Sequence, residues 1–163
     1  MDPRIVKFIR KHHVLTLASS RHNIPWTAHC FYAFLEEEKA LVFTSDDDTR
    51  HAREMLANQV VAGGIALETK VVGKIRGIQL TGRAFKAEKQ KSRKAESKRK
   101  EEGTMDKNNL QPATRNLQQA RRAYLTRFPY AALMKTTLWI LEIDTIKFTD
   151  NRLGFGKKLH WER

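Results

Sequence analysis

Ala40-Leu41-Val42-Phe43-Thr44-Ser45, then Asp46-Asp47-Asp48-Thr49, then Arg50-His51-Ala52-Arg53-Glu54-Met55-Leu56 is the stretch on which the fold turns. Apolar strand formers run as far as Ser45, an acidic turn stops them, and apolar residues resume at helical spacing, so the stretch reads as strand, turn and helix. Such a strand delivers hydroxyls and two basic side chains to a helix N-terminus, where free backbone N–H groups and the positive end of the helix dipole favour a phosphate. Ser45, Thr49, Arg50 and His51 would surround that anion. The same residues also fit a plainer arrangement in which Asp48 or Thr49 caps the helix and Arg50 is solvated.

Outward from this stretch, the chain alternates short strands with a few helices. Asp2 followed by Pro3 opens a helix over residues 3–12, with Ile5, Phe8 and Ile9 on one face. Residues 14–18 read as a strand, 19–23 as a turn and 25–35 as a long strand, whose faces carry Trp26, Ala28, Cys30, Tyr32 and Phe34 on one side and Thr27, His29, Phe31, Ala33 and Leu35 on the other. Neither face is plainly wet, which suits a central strand in a barrel or one at an oligomer interface. A hairpin at 36–39 leads into the quoted strand. Beyond the helix at 50–58, residues 60–67 form a strand interrupted by Gly63-Gly64, a pair that marks a bulge or the close approach of a backbone or flat ligand. A strand over 74–87, a helix bearing Leu117, Ala120, Tyr124 and Leu125 that Pro129 ends, and a strand over 138–148 complete the pattern. About six strands at short spacing with helices at the ends and between halves predict an α+β fold built on a small antiparallel barrel, not a doubly wound parallel sheet.

The chain of 163 residues suits one domain able to bury a real core. Its formal net charge of +13 makes anionic partners the expectation, whether nucleotides, phosphorylated small molecules, nucleic acid or an acidic protein. Part of that charge lies in a low-complexity run from about residue 86 to 107, rich in Lys, Arg and Glu, which reads as an exposed helix or loop. The single cysteine, Cys30, excludes a disulfide framework and a thiolate metal cluster. Six histidines show no metal-ligand spacing, so no metal site is expected. No apolar run approaches the roughly 18 residues of a membrane helix, and the N-terminus has no signal-like segment, so the chain reads as a soluble cytoplasmic protein.

Three further features bear on chemistry. His29 sits mid-strand among Thr27, Phe31, Ala33 and Leu35, where a polar ring needs a partner. Gln79 lies inside a strand, with an amide suited to the edge of a heterocycle or to cross-strand pairing. Gly154-x-Gly156-Lys157-Lys158 lacks the spacing and following helix of a phosphate loop, and fits better as a basic tail over an anion.

With these residues in view, Ile24-Pro25-Trp26-Thr27-Ala28-His29-Cys30-Phe31-Tyr32, the quoted strand and helix, Ile75-Arg76-Gly77-Ile78-Gln79, and the ending Ile146-Lys147-Phe148-Thr149-Asp150-Asn151 with Leu153-Gly154-Phe155-Gly156-Lys157-Lys158 resemble the FMN-binding split-barrel superfamily. Pyridoxamine 5'-phosphate oxidase is its best known member, and the closing motif is similar to the YhbP-like branch. The resemblance covers nearly the whole chain and sets residues of about 88–114 apart as a charged insertion in a single domain, 1–163.

It implies a six-stranded antiparallel split β-barrel with flanking helices, a homodimer, and FMN in two symmetric grooves at the dimer interface. By that resemblance Thr44, Ser45, Thr49, Arg50 and His51 hold the phosphate. His51 stands where the superfamily has Lys, so attraction for phosphate should be weaker and should grow as pH falls. Gln79 matches the position from which the oxidase's glutamine reaches the flavin ring, and Trp161 with Arg163 is similar to its Trp/Arg tail. The strand carrying Trp26 would line the ring, with His29 as donor to a reduced substrate, and Lys157 and Lys158 would draw in an anionic small-molecule substrate. The expected function is thus an FMN-dependent oxidoreductase. A non-catalytic flavin or haem binder on the same barrel is one alternative, and a basic nucleic-acid-binding barrel is another, although the basic run lacks interleaved aromatics.

Overall fold

A computed structural model describes residues 1–88, 117–154 and 157–163. The charged insertion, beyond Glu88, lies outside the described residues, as do Phe155 and Gly156 of the closing motif. The two ends of the insertion meet, since the Leu117 backbone N–H donates to the Glu88 carbonyl at 2.9 Å.

The chain opens with helix α1 (Pro3–Lys11), which Asp2 caps by accepting from the Arg4 N–H at 2.8 Å. Strands β1 (Val14–Arg21) and β2 (Ile24–Leu35) follow as a hairpin, turned by His22 and Asn23 at φ of 52° and 63°. Two left-handed residues give the turn a twist that matches the strands it joins. Next come β3 (Ala40–Ser45), helix α2 (Arg50–Ala57), β4 (Val60–Ala66), β5 (Arg76–Lys86), helix α3 (Leu117–Arg127), β6 (Thr137–Asp150) and β7 (Lys158–Glu162).

Strand order is β3-β2-β1-β4-β5-β6-β7, and β6 also pairs with β3. Six antiparallel strands therefore close into a barrel, with β7 as an extra strand. Fourteen-residue β6 makes this possible. One of its edges pairs with β5, while the other serves β3 from Thr137 to Glu142 and β7 from Thr145 to Thr149. The β5–β6 register slips between Thr81 and Gly82. At Gly82 a Cβ would stand 2.1 Å from the Glu142 carbonyl oxygen, so only glycine admits the close strand approach at this corner.

Core residues follow the period of two. Leu15, Leu17, Cys30, Tyr32, Leu41, Phe43, Ile65, Ile78, Leu80, Trp139, Leu141, Ile146 and Phe148 fill the barrel. Helix α1 joins this core through Ile5, Phe8 and Ile9, with the Tyr32 hydroxyl donating to the Ile9 carbonyl at 2.7 Å, and α2 joins it through Ala52 and Met55. A second core lies outside the barrel, where Ala120 and Tyr124 of α3 pack on Ala33, Leu35, Ala40, Val42 and Ile140. This explains the unbroken apolar character of β2: its last four residues, from Tyr32 to Leu35, are covered on both faces, while Ile24, Trp26 and Phe31 before them are exposed.

Two local expectations need correction. Gly63-Gly64 makes no bulge, since the registers with β1 and β5 run unbroken through both residues. Gly63 instead admits close packing, as a Cβ there would lie 2.8 Å from Leu15 Cδ1. The end of the chain, read as a basic tail, is the strand β7, held to β6 by backbone pairing from Lys158 to Glu162. Among the described residues no helix is long and apolar enough to cross a membrane.

Candidate functional site

Strand β3 ends at Ser45, and the turn that follows brings the chain back as α2 beside it. Thr49 caps the helix, its Oγ1 accepting from the Ala52 N–H at 3.3 Å. Ser45 Oγ then lies 2.9 Å from Thr49 Oγ1 and 2.8 Å from His51 Nε2. Both hydroxyls also donate to the Asp46 carbonyl, at 3.1 and 2.9 Å. A nook of two hydroxyls and an imidazole thus stands at the helix N-terminus. Burial holds the His51 imidazole below its ordinary pKa, partly offset by Glu54, so the ring is biased toward its neutral form.

Arg50 adjoins the nook without aiming into it. Its Nε donates to Glu54 Oε1 at 2.8 Å, one turn along the helix, and its guanidinium lies 4.3 Å from the centroid of Trp26. Glu54 is buried and also accepts from Ser19 Oγ at 2.7 Å. The Arg50 guanidinium and the Ser19 hydroxyl hold its carboxyl below the ordinary range. Of the acidic turn, Asp47 is drawn away to Lys86 at 2.8 Å, while Asp46 and Asp48 are exposed.

The second feature is a groove of about 770 Å³ across the outer wall of the barrel. It runs over β1, β4, β5, β6 and β7, and the register sets its side chains in rows. One row reads His29, Thr16, Gly64, Gln79, Lys147, His160; the next reads Thr27, Ala18, Ala62, Thr81, Thr145, Glu162. His29 Nδ1 lies 3.2 Å from Thr16 Oγ1, and the Thr81 and Thr145 hydroxyls are 2.7 Å apart. Gly64 and the two alanines keep the floor low: a Cβ on Gly64 would meet only the Ile78 carbonyl, at 3.6 Å.

The expected site residues therefore fall into three groups. Ser45, Thr49 and His51 are brought together, with Arg50 and Trp26 stacked beside them. Gln79 and Trp161 line the groove, Trp161 half-buried against the barrel core, and His29 stands in the groove's first row. Thr44 and Arg163 lie elsewhere. The Thr44 hydroxyl is 3.2 Å from that of Tyr124 on α3, because alternate residues of β3 face opposite ways. The Arg163 guanidinium is committed to the carbonyls of Ile143, Glu38 and Lys39, at 3.0, 3.0 and 3.2 Å. Lys157 and Lys158 are exposed at the start of β7.

Sequence reasoning missed Glu54 and Ser19, although the Arg50/Glu54 spacing of four was readable. It also missed Lys147 and His160, which only the register brings side by side. Among the described residues no cluster of three His, Cys, Asp or Glu is placed to hold a metal.

No protein-family model matches the chain. Curated relatives do: it is 37% identical over 159 residues to the UPF0306 protein YhbP of Salmonella paratyphi B and to that of Salmonella typhi, covering 98% of this chain and 91% of each relative. Among solved structures it resembles a heme binding protein from Mycobacterium smegmatis at a TM-score of 0.67 and 18% identity, over 99% of this chain and 59% of that one, so it spans about three fifths of that protein's length. A FAD-binding protein from Mesorhizobium loti matches at 0.59 and 12% identity, over 90% of this chain and 92% of that one. A pyridoxamine 5'-phosphate oxidase-type protein from Listeria innocua matches at 0.52 and 12%, over 90% and 96%. At such identities the likeness shows the split-barrel fold.

Proposed function

We propose that this chain, which belongs to the UPF0306 family of YhbP proteins, binds FMN between two copies of itself and carries out a flavin-dependent oxidation or reduction of an anionic small molecule. The observation that carries this reading is the nook of Ser45, Thr49 and His51 at the N-terminus of α2. Two hydroxyls, an imidazole and free helix N–H groups form a donor set for a terminal phosphate. The strand carrying Trp26, beside the nook, would line the flavin ring, and the groove floor of Ala18, Ala62 and Gly64 stays open for a substrate. Bound flavin would supply the hydride or electron transfer.

The chain's own residues bind and orient. Ser45, Thr49 and His51 take the phosphate, and Arg50 adds charge once it leaves Glu54. Gln79 offers its amide to the ring edge or substrate, and His29, exposed in the same cross-strand row, is the candidate donor to a reduced substrate. Lys157 and Lys158 raise the local concentration of an anionic substrate. Thr44 and Arg163 support the barrel in this reading. Pairing of two copies is supported by exposed Val14, Ile24, Trp26, Phe31 and Val60 on neighbouring strands β1, β2 and β4.

A second reading, a haem carrier, draws support from His29, whose exposed imidazole would hold the iron of a bound haem. Titration of the purified chain with FMN and with hemin, followed by absorbance, separates the two. Uptake of FMN with NAD(P)H turnover supports the oxidoreductase, uptake of hemin alone supports the carrier, and uptake of neither removes both.

A further inference from the structure

The groove holds a lysine that no described carboxylate pairs with. Lys147 stands between Gln79 on β5 and His160 on β7 in one cross-strand row, and among the described residues it has no ion pair. Directly opposed residues on one sheet face bring their side chains together, so Lys147 and His160 converge on one spot of the groove. Two residues along each strand lies the next row, Thr81, Thr145 and Glu162. The wall therefore places a positive end and a negative end roughly 7 Å apart at the strand rise, over a floor without large side chains.

We infer that this wall is a binding site for a planar aromatic carboxylate that bears a hydrogen-bond donor at its far end. Lys147 and His160 take the carboxylate, Gln79 and the Thr81–Thr145 pair lie along the ring edge, and Glu162 accepts from the distal donor. One lysine facing one glutamate suits a monoanion with a donor tail better than a phosphate dianion, because the second carboxylate would repel added negative charge. The volume of about 770 Å³ lies within the range of small-molecule sites. The inference deepens the flavin reading by naming its substrate class, and its test runs without flavin.

The test is calorimetric titration of the full chain with 4-aminobenzoate and with its neutral analogue 4-aminobenzamide, at pH 7.5 and 150 mM salt to screen general attraction to a basic protein. The expected result is at least about tenfold tighter binding of the acid, the effect of one charge-assisted contact. Lys147→Gln should abolish the preference, His160→Gln should reduce it severalfold, and Gly64→Leu should abolish binding of both compounds by filling the floor. Lys7→Gln, on the exposed face of α1, should change nothing. Equal binding of the two compounds, no binding of either, or a preference that survives both Lys147→Gln and His160→Gln overturns the inference. FMN uptake alongside any of those results rejects the wall site and leaves the flavin reading standing. A clear acid preference without FMN uptake does the reverse.

Discussion

The end of the barrel beside α2 and the groove on its outer wall use nearly the same chemistry, hydroxyls with a histidine and a cation, yet they differ in where their bonds go. Beside α2 the polar groups satisfy one another: Ser45 with Thr49 and His51, Arg50 with Glu54, Glu54 with Ser19. A phosphate entering there must displace bonds already made, so its net gain is the difference between two good sets of hydrogen bonds. On the wall Lys147 has no ion pair among the described residues, so a ligand there would not have to break one. A ligand beside α2 would exchange bonds already made, whereas one on the wall would meet groups that no described residue pairs with, a contrast that mutation can attack from either side.

The largest expected effect removes both regions together. Gly82→Val forces a side chain against the Glu142 carbonyl at the corner where β6 turns from β3 toward β7, and should cost roughly 3 kcal/mol, seen as a fall in the urea midpoint. Next, Arg50→Ala should weaken FMN binding about tenfold and Thr49→Ala about fivefold, the scale of a lost charge-assisted bond and a lost cap. Neither should alter binding at the wall, and a matched loss in both places would erase the contrast. Glu54→Gln acts in the opposite direction. It releases Arg50 from its partner, so FMN affinity should rise by up to about fivefold, the worth of a half-exposed ion pair; unchanged affinity would mean that Arg50 never reaches the phosphate.

The smallest effect is a pH dependence with two signs. His51 and His12 both have their pKa lowered in the folded chain by burial, and Arg76 adds to the effect at His12. In the pH window below their ordinary value of 6.5 the unfolded chain binds more protons, so stability of the free protein should fall as pH drops through that window. FMN affinity should rise over the same window, because a phosphate favours the protonated His51. Denaturant melts and flavin titrations at pH 8, 7 and 6 check both trends. His51→Lys should strengthen FMN binding at pH 8 and flatten its pH dependence.

Strand and helix order was readable from the sequence because hydrophobic period and turn residues are local properties: the run from Ala40 to Leu56 gave strand, turn and helix, and Asp2-Pro3 gave the start of α1. Ser45, Thr49 and His51 were readable for the same reason, being close in sequence. What escaped depends on partners far along the chain. The burial of both faces of β2 near Leu35 comes from α3, roughly ninety residues later, and the convergence of Lys147 with His160 comes from β7 adding to β6. The closing segment looked like a tail because its glycines and lysines are poor strand formers, and only an open edge of β6 makes it a strand.

Phosphate binding at the end of the barrel beside α2 is what the flavin reading stands on. It is tested most directly by titrating the purified chain with FMN and with riboflavin, which differs only in lacking that phosphate, and following flavin fluorescence. The account predicts one FMN per chain and at least about tenfold weaker binding of riboflavin, the loss of roughly one charge-assisted hydrogen bond. Equal binding of the two flavins, or binding of neither, would contradict it.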